Sequence, residues 1–238
     1  MLPGRAPLNA RPAGFLERPN MAQLPKGATF AIATGFGPSI VVSDISNAAE
    51  GVVTSASHGL ADGDIIELTT GWTKLNRRIF KVDQLSATTF GLVSIDTLST
   101  ASFPPGSSAR SFRKITAWTQ VPKVMNPNTS GGDPKPVTYE FLEDENEYQI
   151  NNGFSATGYT IEIDDDIETP GYAAVLKASD EQAETALRIL MKGNKNPTYM
   201  PCYVAMNPIP VLQEGQINRL RVSFNGRARP TRYSGTVA

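Results

Sequence analysis

GVVTSASHGLADGDIIELTTGWTKLNRRIFKVDQLSATTFGLVSI, residues 51–95, decides the fold class. It breaks into four runs rich in β-branched and aromatic residues: Gly51–Ala56, Asp64–Thr69, Arg77–Val82 and Thr88–Ile95. Turn signals separate them, at His58-Gly59, Asp62-Gly63, Gly71 and Ser86. A strand every dozen residues, punctuated in this way, predicts a small all-β module.

The β pattern continues on both sides. Before the module, Ala28–Thr34 and Ser39–Ser46 read as apolar strands, and after it a Ser/Pro/Gly-rich connector, Ser99–Ser108, precedes a strand over Ser111–Gln120. Val121–Pro136, VPKVMNPNTSGGDPKP, holds four prolines and a Gly-Gly pair and predicts a long structureless loop. Val137–Leu142 and Glu147–Asn151 follow as short strands. In Gly158–Asp164, Tyr159, Ile161 and Ile163 alternate with Thr160 and Glu162, the period of a half-buried strand. One helix is predicted, Asp180–Lys192, with Ser179 as its cap, Gln182 as the reciprocal partner, Ala183, Ala186, Leu187 and Leu190 as its apolar face and Gly193 as its stop. Strands over Tyr199–Met206 and Gln216–Phe224 close the chain before a basic tail.

Composition bounds the function. The 238 residues are 40% hydrophobic and 19% charged, with 20 glycines, 18 prolines and a net charge of −1, so a core can form and no global basic character invites nucleic acid. Cys202 is the only cysteine, which excludes an internal disulfide framework. The first twenty residues carry three arginines and four prolines, no signal-peptide core and no bilayer span; they read as an extended arm, with Met21 resembling a natural start.

The search for chemistry is mostly negative. His58 is the only histidine and sits in a turn, where local bonding is the expected role; Cys202 lies in an apolar strand as a small hydrophobe. Gly35-Phe36-Gly37 lacks the third glycine and helix of a dinucleotide loop, and Asn128-Thr129-Ser130 fits a glycosylation acceptor with nothing else to indicate secretion. Asp164-Asp165-Asp166 lacks the spaced ligands of a calcium loop and reads as a solvated strand end. No cofactor or metal is expected. Charge is segregated, however. Between Glu140 and Glu168 there are ten acids and no Lys or Arg, leaving thirteen acids elsewhere against twenty-two bases. After Gly215 stand Arg219, Arg221, Arg227, Arg229 and Arg232 and no acid. A self-associating subunit needs such complementary zones, although they can also pair within one fold.

MAQLPKGATFAIAT, VMNPNTSGGDPKPVTYEFLED, IEIDDDIETPGYAAVLKASDEQAETALRILMKG and VLQEGQINRLRVSFNGR together resemble the tail tube proteins of long-tailed bacteriophages, from about Met21 to Arg229. SHGLADGDIIEL, LNRRIFKV and TTFGLV resemble a small β-module first described in ubiquitin-activating enzymes. The resemblance implies a mainly β fold: a tail-tube β-sandwich or barrel over residues 26–50 and 96–238, flanked by one helix, with the module inserted over 51–95 and an arm over 1–25. It implies a structural virion protein rather than an enzyme, assembled in the host bacterial cytoplasm into hexameric rings. Stacked, these rings form the conduit for double-stranded DNA. Its partners would be itself, the tape measure, the tail terminator and the baseplate or tip, with no membrane. A tail terminator or connector, or a host-binding module, is the alternative. On this reading Asn126, Pro127, Asn128, Thr129, Ser130, Gly131, Gly132, Asp133, Pro134 and Lys135 form a loop reaching the next ring. Glu140, Glu143, Asp144, Glu147, Glu162 and Asp164 are candidates for the bore, and the five C-terminal arginines for subunit contacts. The competing expectation is that the acids pair with those arginines.

Overall fold

The computed structural model describes residues 25–106 and 111–237. The expected arm, Met1–Asn20, and the end of the Ser99–Ser108 connector lie outside the described residues. In chain order the elements are β1 (Thr29–Phe36), β2 (Ile40–Val41), β3 (Asp44–Ile45), β4 (Val52–Thr54), β5 (Ile65–Thr69), β6 (Arg78–Gln84), β7 (Thr89–Leu92), β8 (Ser111–Val121), β9 (Val124–Ser130), β10 (Pro134–Glu140), β11 (Glu147–Phe154), β12 (Gly158–Asp164), α1 (Pro170–Asp180), β13 (Thr185–Met191), β14 (Lys195–Met206), β15 (Arg219–Gly226) and β16 (Thr231–Arg232). The mainly β fold with one helix agrees with the sequence reading.

The strands run in the order β3-β4-β7-β6-β5-β8-β1-β13-β14-β15-β12-β9, with β2 beside β8 and β16 beside β14; β10 and β11 pair only with each other. The sheet has open edges at β3 and β9, so it does not close into a barrel within one chain. It curls instead. Phe30 of β1 meets Tyr159 of β12 at 5.8 Å although three strands separate them in the sheet. The space enclosed is the main core, built from Ile32, Ile161, Val175, Leu187, Val204 and Phe224 among others. β12 and β15 show how alternation builds it: Ile161 pairs with Val222 and Ile163 with Leu220, all four fully buried, while Glu162 and Arg221 pair on the opposite face. Each such side chain contributes about 1.5–3 kcal/mol by burial.

A second core holds Val53, Leu68, Trp72, Phe80, Phe90 and Phe112, and Trp72 Nε1 donates to the Pro104 carbonyl at 2.8 Å. Val42, Ile45, Phe103 and Phe112 belong to it, so it draws on more chain than residues 51–95. β8 serves both cores: Ser111–Lys114 pair with β5 and Ile115–Val121 with β1. The β1–β8 ladder slips at Gly35, where a Cβ would stand 2.7 Å from Thr116 Oγ1 and 2.9 Å from Ala117 Cβ. Gly35 is therefore a bulge glycine that lets the two strands close up.

The helix lies one element earlier than its predicted place. α1 starts at Thr169, whose Oγ1 accepts from the Tyr172 N–H at 3.3 Å, followed by Pro170 in the first turn. The predicted span, Asp180–Lys192, contains only the end of α1, a turn and β13. Ser179 caps nothing; its Oγ accepts from the Met206 N–H at 3.0 Å. Gln182 has a φ of +47°, outside helical space. β13 is central, with Leu187 in the main core and Ala186 against Tyr199 and Tyr233 on the other side. A strand buried on both faces loses its polar alternation and, over so short a run, cannot be told from a helix by periodicity. Gly193 is a turn residue between β13 and β14, with Asn194 also at positive φ, rather than a helix stop. Among the described residues no helix is long and apolar enough to cross a membrane.

Candidate functional site

The most unusual feature is an arm. β9 and β12 pair at the sheet edge, and their continuations β10 and β11 pair with each other beyond it, so the two strand pairs form one ribbon with a joint. At the joint Gly131 and Gly132 have φ of +70° and +81°, and a Cβ on Gly131 would lie 1.8 Å from the Ala156 carbonyl oxygen. Only glycine fits there. Asp133 and Ser155 close the joint, with the Ser155 N–H 2.8 Å from the Asp133 carbonyl and the Asp133 N–H 3.0 Å from Ser155 Oγ.

This corrects the expected loop. Asn126, Pro127, Asn128, Thr129 and Ser130 lie in β9, Gly131, Gly132 and Asp133 form the joint, and Pro134 and Lys135 open β10. The prolines had argued against strands. β9 tolerates Pro127 because it is an edge strand and because the β9–β12 ladder slips between Thr160 and Glu162, beside Asn126 at a φ of +48°.

Past the joint the hairpin stands on its own. Val137 faces Ile150 and Tyr139 faces Tyr148, with Tyr139 and Tyr148 stacked at 5.6 Å and Phe141 edge-on at 5.4 Å. One face of the hairpin is thus apolar, yet these five side chains are between 37% and 58% exposed. Thr138, Glu140, Glu147 and Gln149 alternate onto the polar face. A lone two-stranded hairpin is marginal in water, and an uncovered apolar face marks a surface that meets another one. Sequence reasoning missed this face, although the alternation of Val137, Thr138, Tyr139, Glu140 and Phe141 spells it out.

The six candidate acids fall into two groups. Glu140, Glu143, Asp144 and Glu147 gather at the hairpin tip, in no ion pair among the described residues. Asp144 accepts from the Tyr148 hydroxyl and from the Asn146 N–H at 3.1 Å, and these donors hold its carboxyl below the usual range. Glu162 and Asp164 instead lie on β12. Glu162 meets Arg219 at 3.0 Å and Arg221 at 4.0 Å. Lys123 Nζ reaches Asp164 at 2.8 Å and Asp166 at 3.0 Å. The Asp164-Asp165-Asp166 run is thus partly neutralised rather than simply solvated, because Lys123 reaches both Asp164 at the end of β12 and Asp166 just beyond it.

The basic residues divide too. Arg219 and Arg221 are used by Glu162, and Arg227 by a network the sequence reading missed. There Glu67 meets Arg113 at 2.6 Å and Arg227 at 3.3 Å, while Glu184 meets Arg77 and Arg227, both at 2.6 Å. The Arg227–Glu184 contact is ionic without hydrogen-bond geometry. The one available signal was Glu67 inside an apolar run, Ile65-Ile66-Glu67-Leu68. Arg229 lies over the Phe154 ring at 5.4 Å and Arg232 sits in β16; neither joins an ion pair among the described residues.

Burial pushes the Glu184 carboxyl up, but Arg227, Arg77 and the Tyr203 hydroxyl outweigh it and its pKa falls below the ordinary value. A depressed carboxylate stabilises the fold fully above its unfolded pKa of about 4.3, and that stability is lost as pH falls through the folded value. The melting midpoint should therefore hold level from pH 7 to 5 and fall below about pH 4. Thermal scans of Glu184→Gln should show a lower midpoint at pH 7 and a shallower acid limb; an unchanged acid limb would remove Glu184 from the account.

The residues that might have carried chemistry are structural. His58 is buried; its Nδ1 accepts from the Leu60 N–H at 3.0 Å, which places the proton on Nε2, 2.7 Å from the Ser86 carbonyl. Cys202 is fully buried, and burial pushes its thiol up to about 12. Both match the roles expected from sequence.

A family model described as phage tail tube protein, TTP, matches residues 70–235, well over half of the chain. No curated protein matches the sequence. The matched span contains the edge strand β9, the jointed hairpin, the helix and every strand of the main core except β1. An open-edged β fold that holds an apolar ribbon out into solvent is what a self-assembling subunit requires, and the chain belongs to the phage tail tube protein family, as a structural subunit of the tail.

Proposed function

We propose that copies of this chain close into hexameric rings that stack into a hollow tube, assembled in the host cytoplasm beside the tape measure, terminator and tip proteins, through which double-stranded DNA leaves the virion. The hairpin carries this reading: a chain of a tube-forming family exposes an apolar ribbon that no other described residue covers, and another subunit would shelter it. The open edge of β9 offers unpaired backbone groups to a neighbouring copy, so that the sheets of adjacent subunits join around the bore. The region around the second core is the inserted module akin to that of ubiquitin-activating enzymes, carried on the ring as an addition.

The outward face of β12 and β15 is the candidate bore. It presents Thr160, Glu162, Asp164, Arg221 and Ser223. Its charges nearly cancel, since Glu162, Asp164 and Asp166 are met by Arg219, Arg221 and Lys123. A bore without net positive charge does not hold phosphates, and each added cation would increase salt-dependent retention. Of the six acids proposed for the bore, the geometry favours only Glu162 and Asp164.

Electron microscopy of the purified protein should show tubes with six-fold end views, and light scattering should rise with concentration. A monomer at every concentration, also in the presence of the other tail proteins, would overturn the reading. Thr160→Lys adds a cation without breaking a pair. Its tubes should assemble normally but release DNA more slowly, most of all at low salt, where the Debye length exceeds about 10 Å. Failure of Thr160→Lys to form tubes would move this face from the bore to an interface.

A further inference from the structure

Among the described residues, exposed charges that no ion pair within the chain uses gather in two complementary places, the hairpin tip and a cleft bearing Lys74 and Arg229. One is the hairpin tip, with Glu140, Glu143, Asp144 and Glu147 around Phe141 and Leu142, which are 57% and 107% exposed. Glu140 and Glu147 are direct cross-strand partners. Like charges placed opposite each other destabilise a ladder unless a cation lies between or beside them. The hairpin supplies none near its tip, because no Lys or Arg occurs between Glu140 and Glu168.

The other place is a cleft of about 710 Å³ where the second core meets the segment after β15. Lys74, Arg77 and Arg229 line it with one acid, Asp96, and the apolar Ile95, Phe103 and Phe154; Arg77 is engaged by Glu184. Among the described residues Lys74 Nζ bonds a hydroxyl, that of Ser102 at 2.7 Å, and no carboxylate, and Arg229 rests on Phe154. Beside them Arg78 spends its donors on the carbonyls of Lys74 and Arg229 and on Thr231 Oγ1, meets no carboxylate, and burial lowers its pKa. With Lys74, Arg77, Arg78, Arg227 and Arg229 against the single acid Asp96, the cleft lining is net cationic, and apolar side chains stand among the charges.

The tip of a chain does not reach its own cleft. Phe154, at the root of β11, is part of the cleft, and Glu147 lies seven residues further along the same strand, about 24 Å away at ~3.4 Å per residue. We infer that the acidic, apolar hairpin tip of one copy seats in this cationic cleft of a second copy, Phe141 and Leu142 against its apolar lining and the acids against Lys74 and Arg229. The inference rests on self-assembly as proposed above and names the surfaces that meet. The contact is heterologous: each copy offers a tip and a cleft at different places, so the same contact repeats from copy to copy without self-closure in a pair.

Two experiments on the full chain decide it. Lys74→Glu/Arg229→Glu changes only exposed side chains; it should raise the concentration needed for tube formation at least tenfold, and adding Glu143→Lys/Glu147→Lys should restore assembly. In Leu142→Cys/Thr73→Cys tubes, oxidation should give a ladder of disulfide-linked oligomers, and Leu142→Cys tubes should give none; buried Cys202 stays out of the reaction. Wild-type protein that forms tubes while the double-cysteine tubes give no ladder overturns the docking and leaves the tube reading standing. Wild-type protein that never assembles overturns the tube reading. Unchanged assembly of Lys74→Glu/Arg229→Glu with weakened retention of duplex DNA would make the cleft a DNA contact and likewise overturn the docking.

Discussion

Removing Pro134–Phe154 and joining Asp133 to Ser155 through an Asn-Gly turn should give a folded, soluble subunit that no longer forms tubes. The ends to be joined already bond to each other, at 2.8 and 3.0 Å, so a two-residue turn bridges them without strain. The deleted residues are exposed along both strands, so the core loses nothing and the melting midpoint should stay within the range of a surface change, about 0.5 kcal/mol. Assembly loses the whole apolar face. Burying Val137, Tyr139, Phe141, Tyr148 and Ile150 against a neighbour is worth about 1.5–3 kcal/mol for each side chain that is fully covered. About 2.8 kcal/mol is a hundredfold in concentration, so the threshold for tubes should rise by at least that factor. Light scattering and microscopy measure it, and tubes of normal length from the deleted protein would reduce the hairpin to a decoration. Excision of Asn126–Lys135, by contrast, removes β9 and the joint, leaves β12 without its edge partner, and should destabilise the fold itself.

Glu67→Ala should cost about 3–5 kcal/mol of stability, the range for breaking a buried ion pair from one side. Glu67 and Arg227 expose only 7% and 6% of their side chains. Without Glu67, Arg227 keeps one ionic contact, to Glu184, and the Nε and Nη2 of Arg113 lose their 2.7 and 2.6 Å partner. Glu67 and Arg113 are cross-strand neighbours between β5 and β8, Arg227 follows β15, and Glu184 precedes β13, so the network fastens the second core to the main sheet. Glu67→Met/Arg227→Met, which removes both buried charges, should lose clearly less than Glu67→Ala alone. Urea titrations compare them. A loss below about 1 kcal/mol for Glu67→Ala would show that solvent already satisfies the guanidinium groups.

Much of the fold was legible before any coordinates. The runs around Ile65–Thr69 and Arg78–Gln84 declared themselves because β-branched residues stand between turn signals, and Gly158–Asp164 because it alternates. β13 was misread for the opposite reason. Buried on both sides, it shows no alternation, and its alanine and leucines happen to fall at helical spacing. The start of α1 was visible in Thr169-Pro170, a cap followed by a first-turn proline, but the run after it is short and weakly amphipathic. Of the assembly surface, the acids were found and the apolar face was overlooked: Val137–Leu142 and Glu147–Asn151 read as strands, but alternation in a strand does not say whether its apolar face is covered.

The sequence by itself determined a mainly β chain, its family, the structural roles of His58 and Cys202, and the segregation of acids from arginines. These follow from residue type and short-range order, which chain position carries directly. Only the tertiary structure decided which charges cancel. Glu162 finds Arg219 across fifty-seven residues and Glu67 finds Arg227 across one hundred and sixty, while among the described residues Glu140 and Glu147 meet no cation and face each other. Pairing depends on which strands lie side by side, and strand order comes from burying both cores at once rather than from any local pattern.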